Sequence, residues 1–385
     1  MKILFIFEKA ICPTKGGLER VTHLLASELS RRGYEVQFLA LGNDNYTGEN
    51  IPQFNIDITN SDFATEFISF IKEGHFDTII FQGHSNEVLT TMSLAEDIEA
   101  KKLSVFHYQP FPLIGKERVI KRNTPSSDLS LKGKILKYIA LISPRIFRIL
   151  YIKEGRRRFA QMLEKTDKMV LLSDKFKERF ISYFPSDLNG KLTAINNPLT
   201  FSPSFNIDLQ NKENIILFVA RITNPQKNIS GFIDVWKLFS KNHPDWKALI
   251  IGDGEHKELM EKYAQKKKTS NLFFLGTQEN VEEYYRKAKM YCMTSTYEGW
   301  GMVLTEAMAM GCVPVVYGTY ESTEDIIDSG TDGIIVKPFD TRGMAEDLSS
   351  LANNDTLREK MALNGMKKID KFSINKITDE WEKLF

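Results

Sequence analysis

Three cysteines in 385 residues (Cys12, Cys292 and Cys312) are too few and too far apart for a disulfide framework or a paired-cysteine metal motif. Cys292 and Cys312 sit in apolar runs and read as core thiols. That pattern fits a reducing cytoplasm. No excess of one charge exists: the formal net charge is +1, so no global field draws nucleic acid. No apolar run approaches membrane-spanning length. The first run, Ile3-Leu4-Phe5-Ile6-Phe7, is too short for a signal peptide and reads as a buried first strand. There is no sequence repeat or low-complexity tract. What remains is a chain with ordinary globular composition, 42% hydrophobic and 26% charged, long enough for two cores.

Short apolar runs alternate with helical patterns. Strands are expected at Ile3–Phe7, Val36–Leu41, Thr78–Phe81, Leu103–His107, Met169–Leu172 and Leu192–Ile195, with helices at Leu18–Arg32, Asp62–Lys72 and Glu87–Ala100. The pattern restarts at Ile215–Val219, Ala248–Gly252, Leu272–Leu275, Met290–Met293, Val313–Tyr317 and Gly333–Val336. Such alternation implies α/β folding with a doubly wound parallel sheet in each half. The polar stretch Asn196–Asn214, with Pro198 and Pro203, reads as the linker. The expected domains are 1–198, joined by a terminal helix over 372–385, and 199–371. Two such sheets would face one another across a cleft, each offering strand ends to ligand.

The chemistry concentrates in Thr296 to Cys312. Glu298 and Glu306 are separated by seven residues. The first lies beside Gly299 and Gly301 after a strand, and the second lies inside an apolar helix closed by Gly311. A strand, a glycine turn and a helix start form an anion site from backbone N–H groups. The flanking carboxylates would repel phosphate but accept hydrogen bonds from hydroxyls. A ligand carrying both groups is a nucleotide-activated sugar. The plainer reading makes Glu298 a helix-start acid and Glu306 a solvated side chain. The apolar neighbours Leu304, Ala307, Met308 and Met310 leave Glu306 little polar face to occupy.

Other candidates are individually weaker. Lys15-Gly16-Gly17 opens the first helix, as a phosphate turn or simply a flexible one. Arg221 and Lys227, six apart on a loop after a strand, could both reach a diphosphate or could be surface cations. Gly252-Asp253-Gly254 ends a strand but lacks the third glycine of a dinucleotide fingerprint. His107, at the end of the fourth expected strand, is either a structural histidine or a sugar contact. No Asp-x-Asp pair occurs to hold a cation on a diphosphate, so no metal ligand is assigned. Residues 116–158 hold thirteen Lys or Arg against three acids, interleaved with apolar residues. The stretch reads as a helical pair packed on its domain, or as a peripheral contact with an anionic membrane at the inner face of the plasma membrane.

Together these parts resemble the retaining family 4 glycosyltransferases of the GT-B fold, over nearly the whole chain. The resemblance runs in order through Gly16-Gly17-x-Glu19, Arg221 with Lys227, Gly252-Asp253-Gly254, and Glu298-Gly299-x-Gly301 to Glu306, with Phe372-Ser373 and Trp381 matching the family's terminal helix. It implies transfer of a hexose or N-acetylhexosamine from a nucleoside-diphosphate sugar, by prevalence a uridine one. The acceptor would be a glycan or lipid-linked sugar in bacterial surface polysaccharide synthesis. Neither cofactor nor metal is implied. The resemblance assigns Arg221, Lys227, Glu298 and His107 to catalysis. Gly16, Gly17, Gly252, Trp300, Gly301, Met302, Val303 and Glu306 would bind the donor. Trp300 departs from the family's frequent Phe and would shape the sugar pocket. The alternatives are a sugar-nucleotide 2-epimerase of the same architecture and an inactive glycan-binding homologue.

Overall fold

The computed structural model describes residues 1–13, 16–42, 51–117, 119, 123–124, 130–184, 188, 190–201 and 207–385. Lys15, Pro203 and part of the basic stretch (Arg118, Lys121, Arg122 and Asp128) lie outside the described residues. The chain divides into two units. One comprises Met1–Pro110, Tyr151–Thr200 and Phe372–Phe385; the other comprises Phe111–Leu150 and Phe201–Lys371. The sequence reading put 111–150 inside the N-terminal domain, but these residues group with the second unit. The Asn123 side-chain amide donates to Asn228 Oδ1 there (3.3 Å). Helical periodicity identifies a helix without naming the surface it packs on.

The first unit holds a seven-stranded parallel sheet in the order β3-β2-β1-β4-β5-β6-β7. The strands are β1 Lys2–Phe7, β2 Glu35–Ala40, β3 Gln53–Asn55, β4 Thr78–Gln82, β5 Lys101–Phe106, β6 Lys168–Leu171 and β7 Leu192–Ala194. Ile3 to Ile6 and Ile79 to Phe81 are fully buried, as expected of parallel strands covered on both faces. β3 was not anticipated. It is a three-residue edge strand whose residues are partly or fully exposed, so it carries no apolar signal. The helices are α1 Gly17–Arg31, α2 Phe63–Gly74, α3 Asn86–Leu94, α4 Leu131–Ile142 (grouped with the second unit), α5 Pro144–Lys165 (grouped with the second unit as far as Leu150) and α6 Asp174–Tyr183. α3 stops six residues short of the expected Ala100. Thr90, Thr91 and Ser93 turn their hydroxyls back onto helix carbonyls, a local competition that weakens the helix.

The second unit holds a six-stranded parallel sheet in the order β10-β9-β8-β11-β12-β13. Its strands are β8 Glu213–Val219, β9 Lys247–Ile251, β10 Leu272–Gly276, β11 Ala288–Met293, β12 Val313–Tyr317 and β13 Ile334–Val336. Its later helices are α7 Asn224–Lys227, α8 Ile229–Phe239, α9 Lys257–Lys267, α10 Val281–Lys287, α11 Met302–Ala309, α12 Thr323–Ile326, α13 Thr341–Ala352 and α14 Asp355–Lys368. Strand order reverses between β8 and β11, and the carboxyl ends of strands at such a switch point are where open α/β sheets bind ligand. Both glutamate and cation motifs follow these two strands.

The tail helix α15, Ile374–Glu382, belongs to the first unit. Ile377, Trp381 and Leu384 join the core that holds Ile3, Phe5 and Val36. Arg32 fastens it, reaching Asp379 (2.6 Å) and Glu382 (2.7 Å) while also holding Glu28 (2.9 Å). The linker is less solvated than its polarity suggests. Lys212 is buried and donates to the carbonyls of Tyr285, Arg286 and Ala288 at 2.8–2.9 Å. The end of α10 leaves carbonyls without helical donors, and an ammonium satisfies three at once.

Candidate active site

The turn after β11 is built by glycine and fixed by its neighbours. Thr296 N–H donates to Gln226 O (2.6 Å), joining the β11 loop to the β8 loop. Gly301 caps α11 at φ 85°, ψ 53°, and a Cβ there would meet Tyr320 Oη at 2.7 Å. Only glycine suits both demands. The first α11 backbone bond runs from Leu304 N–H to Gly301 O (2.8 Å). Met302 and Val303, in the first turn, have no intrahelical acceptor and present N–H groups at the positive helix end. At the other end Gly311 adopts φ 66° and Cys312 N–H bonds Ala307 O (2.8 Å), which closes the helix.

Both glutamates are buried, Glu298 at 7% and Glu306 at 4% exposure, and both are held. Lys227 Nζ lies 2.6 Å from Glu298 Oε1, and Gln226 Nε2 donates to Oε2 (3.3 Å). The sequence reading put Lys227 and Glu298 on one ligand, and the fold brings them together. Tyr285 Oη donates to Glu306 Oε2 (3.2 Å). Burial, then the Glu306 charge, pushes the Tyr285 hydroxyl well above its usual range, so it stays an O–H donor. The solvated reading of Glu306 is therefore set aside.

Arg221 is exposed on the loop after β8. Two glycines hold that loop. Gly252 has φ 129°, and a Cβ there would lie 2.0 Å from Ala220 O. Gly254 has φ 156°, with Ile222 O at 2.8 Å from the same built atom. The Gly252 N–H donates to Gly276 O (2.9 Å). Gly252 therefore supports the Arg221 loop by close packing, and its N–H is engaged within the protein rather than presented to a donor. Trp300 is likewise only 2% exposed. Its ring is a core wall behind the turn, not an open face.

Gly16, Gly17 and His107 belong to the first unit. Gly16 is extended at φ −168°, a conformation open to any residue, and a Cβ there would meet the end of the Glu19 side chain. Gly17 is the first residue of α1. His107 follows β5, the fifth strand rather than the fourth, since β3 precedes it. Its Nε2 meets Gln82 Oε1. A carbonyl oxygen accepts, so Nε2 carries the proton and Nδ1 is left as an acceptor. Burial, with a smaller push from His84, lowers its pKa from 6.5 to about 4.

That shift fixes a stability window. Above pH 6.5 the ring is neutral whether folded or unfolded. Between 6.5 and about 4 the unfolded chain binds a proton that the folded site refuses, so stability falls as pH falls. His107→Gln is expected to flatten the dependence of the unfolding midpoint on pH across this window. An unchanged slope in urea titrations would place the proton coupling elsewhere.

Tyr285 and Gln226 complete the site without a motif of their own in the sequence. Gln226 lies between the two chosen cations, and its loop position was the available signal. Tyr285, on a short helix from another part of the chain, gave none. Among the described residues, no group of three or more His, Cys, Asp or Glu is arranged to hold a metal. No helix among the described residues is long and apolar enough to cross a membrane.

Residues 203–368 match the family model for glycosyl transferases group 1. Across its full length the chain is similar to a Campylobacter jejuni protein, GalNAc-alpha-(1->4)-GalNAc-alpha-(1->3)-diNAcBac-PP-undecaprenol alpha-1,4-N-acetyl-D-galactosaminyltransferase. The two are 28% identical over 400 residues, covering 100% of this chain and 98% of the relative. The amylovoran biosynthesis glycosyltransferase AmsD of Erwinia amylovora is 27% identical over 316 residues, covering 78% of this chain and 88% of that one. The fold matches TarM of S. aureus, crystallised with fondaparinux, alpha-GlcNAc-glycerol and UDP. The TM-score is 0.75 at 14% identity, with 100% and 99% of the two chains covered. This is the GT-B architecture, and the comparisons favour transferases over the epimerase alternative.

Proposed function

We propose that the chain is a group 1 glycosyltransferase, the family whose model matches residues 203–368, and that it moves a hexose or N-acetylhexosamine from a UDP-sugar to a glycan or lipid-linked acceptor. Anomeric configuration is retained in this reading, and the pathway is assembly of a bacterial surface polysaccharide. The observation that carries it is the buried carboxylate pair around one glycine-capped helix start, with Lys227 at 2.6 Å from Glu298. Glu306, oriented by Tyr285, accepts hydrogen bonds from the ribose hydroxyls. Glu298 holds hydroxyls of the transferred sugar. Arg221 and Lys227 meet the diphosphate, with N–H groups of Met302 and Val303 at the same end of α11. Gly16 and Gly17 let backbone approach the donor in the first unit. His107 acts as a neutral acceptor for a sugar hydroxyl.

Catalysis in this reading is positional and electrostatic. Charge builds on the diphosphate as the sugar leaves, and the two cations and the helix start stabilise it. The departing phosphate oxygen takes the acceptor's proton. No side-chain nucleophile and no metal is required. A thermal-shift series with nucleoside diphosphates and their sugars, with magnesium and with chelator, tests the donor site. Stabilisation by UDP ligands that ignores magnesium supports it. No shift with any nucleotide near millimolar concentration counts against it. Faster UDP release on adding acceptor separates a transferase from an epimerase and from an inactive homologue.

Membrane contact is part of this proposal. Leu131, Ile135, Tyr138 and Ile142 form one exposed stripe on α4, and Ile146, Ile149 and Leu150 continue it at the start of α5. Ala140 and Phe147 are buried and anchor the two helices, while the cations Lys134, Arg145 and Arg148 face solvent. An apolar stripe flanked by exposed cations suits an anionic bilayer surface. The protein is expected to sediment with anionic vesicles at low salt, and Ile142→Asp to weaken this. Failure of the parent protein to sediment would remove the bilayer from the reading.

A further inference from the structure

The second unit contains a cavity of about 650 Å³ that none of Arg221, Lys227, Glu298 or Glu306 lines. It is lined by Asn224 and Asn228, which flank Lys227 in sequence and are both 6% exposed, with Ser230 and Asp234 on α8. Tyr263 of α9 and Phe339 also line it.

The polar groups are arranged as a hydrogen-bonding wall. Asn224 Oδ1 accepts from Ser230 N–H (3.0 Å), and its side-chain NH2 has no partner among the described residues. Asn228 gives one N–H to Thr294 O (3.2 Å) and retains a second. Asp234 accepts from Tyr263 Oη (3.0 Å) and pairs with Lys267 (2.6 Å), which keeps the tyrosine ring in place beside the acid. Amide N–H groups left over in this way can donate to a ligand hydroxyl.

The backbone here is also held in unusual conformations. Asn228 and Phe339 adopt φ of 50° and 63°. For a bulky residue such as Phe339 that region is strained. Gly231 is needed because a Cβ there would lie 2.4 Å from the Asn228 side chain.

We propose that this cavity is a second carbohydrate site, binding one neutral pyranose of the glycan acceptor. Paired donors and acceptors match sugar hydroxyls, and the rings of Tyr263 and Phe339 match the apolar edge of a pyranose. A phosphate fits poorly, because Asp234 is anionic and its nearest cation, Lys267, is already paired with it. Asn228 follows Lys227 directly, so an occupied site would bear on the loop that carries the cation. The acceptor role rests on the transferase reading; the ligand class rests on the cavity alone.

The test is saturation-transfer NMR on the full chain with methyl glycosides of glucose, galactose, N-acetylglucosamine and N-acetylgalactosamine at millimolar concentration. UDP is present in excess to fill the donor site. Transfer to at least one glycoside is expected. It should fall at least about tenfold in Ser230→Trp, which fills the cavity from a helical position, and in Tyr263→Ala. Both variants should keep the parent's UDP thermal shift, which reports the fold and the donor site separately. No transfer in the parent, or equal transfer in folded variants, overturns the second site. Loss of the UDP shift in the parent instead strikes the donor reading and leaves the glycoside result standing on its own.

Discussion

Glu306→Ala is expected to weaken UDP binding by roughly two orders of magnitude, since each charge-assisted bond to a ribose hydroxyl contributes about 1.5–3 kcal/mol. The residue is 4% exposed and held at 3.2 Å by Tyr285, so its carboxylate is pre-oriented. Alanine also leaves the buried Tyr285 hydroxyl without this acceptor, at a stability cost of about 1–3 kcal/mol. Glu306→Gln separates the two effects. It keeps an acceptor for Tyr285 and nearly the same volume but removes the charge. Near-parent stability with an intermediate loss of affinity, about tenfold, is the expected result by calorimetry. Parent-like affinity in a folded Glu306→Ala protein would remove this carboxylate from the donor site.

Lys227→Ala carries the other large effect. Removing one member of a buried pair leaves an uncompensated charge, here Glu298, and costs about 3 kcal/mol when little water reaches it. The side chains of Lys227 and Glu298 are 18% and 9% exposed, which places the loss at the lower end for buried pairs. Turnover is expected to fall by about 10²–10³, more than donor affinity, because the contact strengthens as the diphosphate departs. The double variant Lys227→Ala with Glu298→Gln distinguishes the causes. It should recover stability, since no lone charge remains, without recovering turnover. A loss confined to donor affinity would mean that Lys227 binds substrate and transition state alike.

The strands were legible because parallel strands covered on both faces read as unbroken apolar runs. Met290–Met293 and Val313–Tyr317 show this well: every residue from Met290 to Met293 and from Val313 to Tyr317 is buried. β3 escaped because an edge strand of three partly exposed residues has no such run. The end of α3 escaped because hydroxyls bonding back onto the helix leave its apolar spacing unchanged. In the site, the glycine before α11 was legible from local turn chemistry, and φ 85° at Gly301 is that chemistry in place. Gly252 was legible as a special glycine, but not in its task. Whether a bare backbone faces a ligand or Ala220 depends on what the fold puts opposite it.

Sequence alone determined the two α/β sheets, the glycine-flanked carboxylates and the cation loop, because each is written in local periodicity or turn chemistry. Tertiary structure alone decided that Lys227 meets Glu298 across 71 positions, that Tyr285 holds Glu306, and that 111–150 groups with the second unit. The first of these follows from β8 and β11 lying side by side, so that their loops meet over the switch point. No local pattern specifies that adjacency. It is set by which buried faces pack together, and packing is a property of the whole chain.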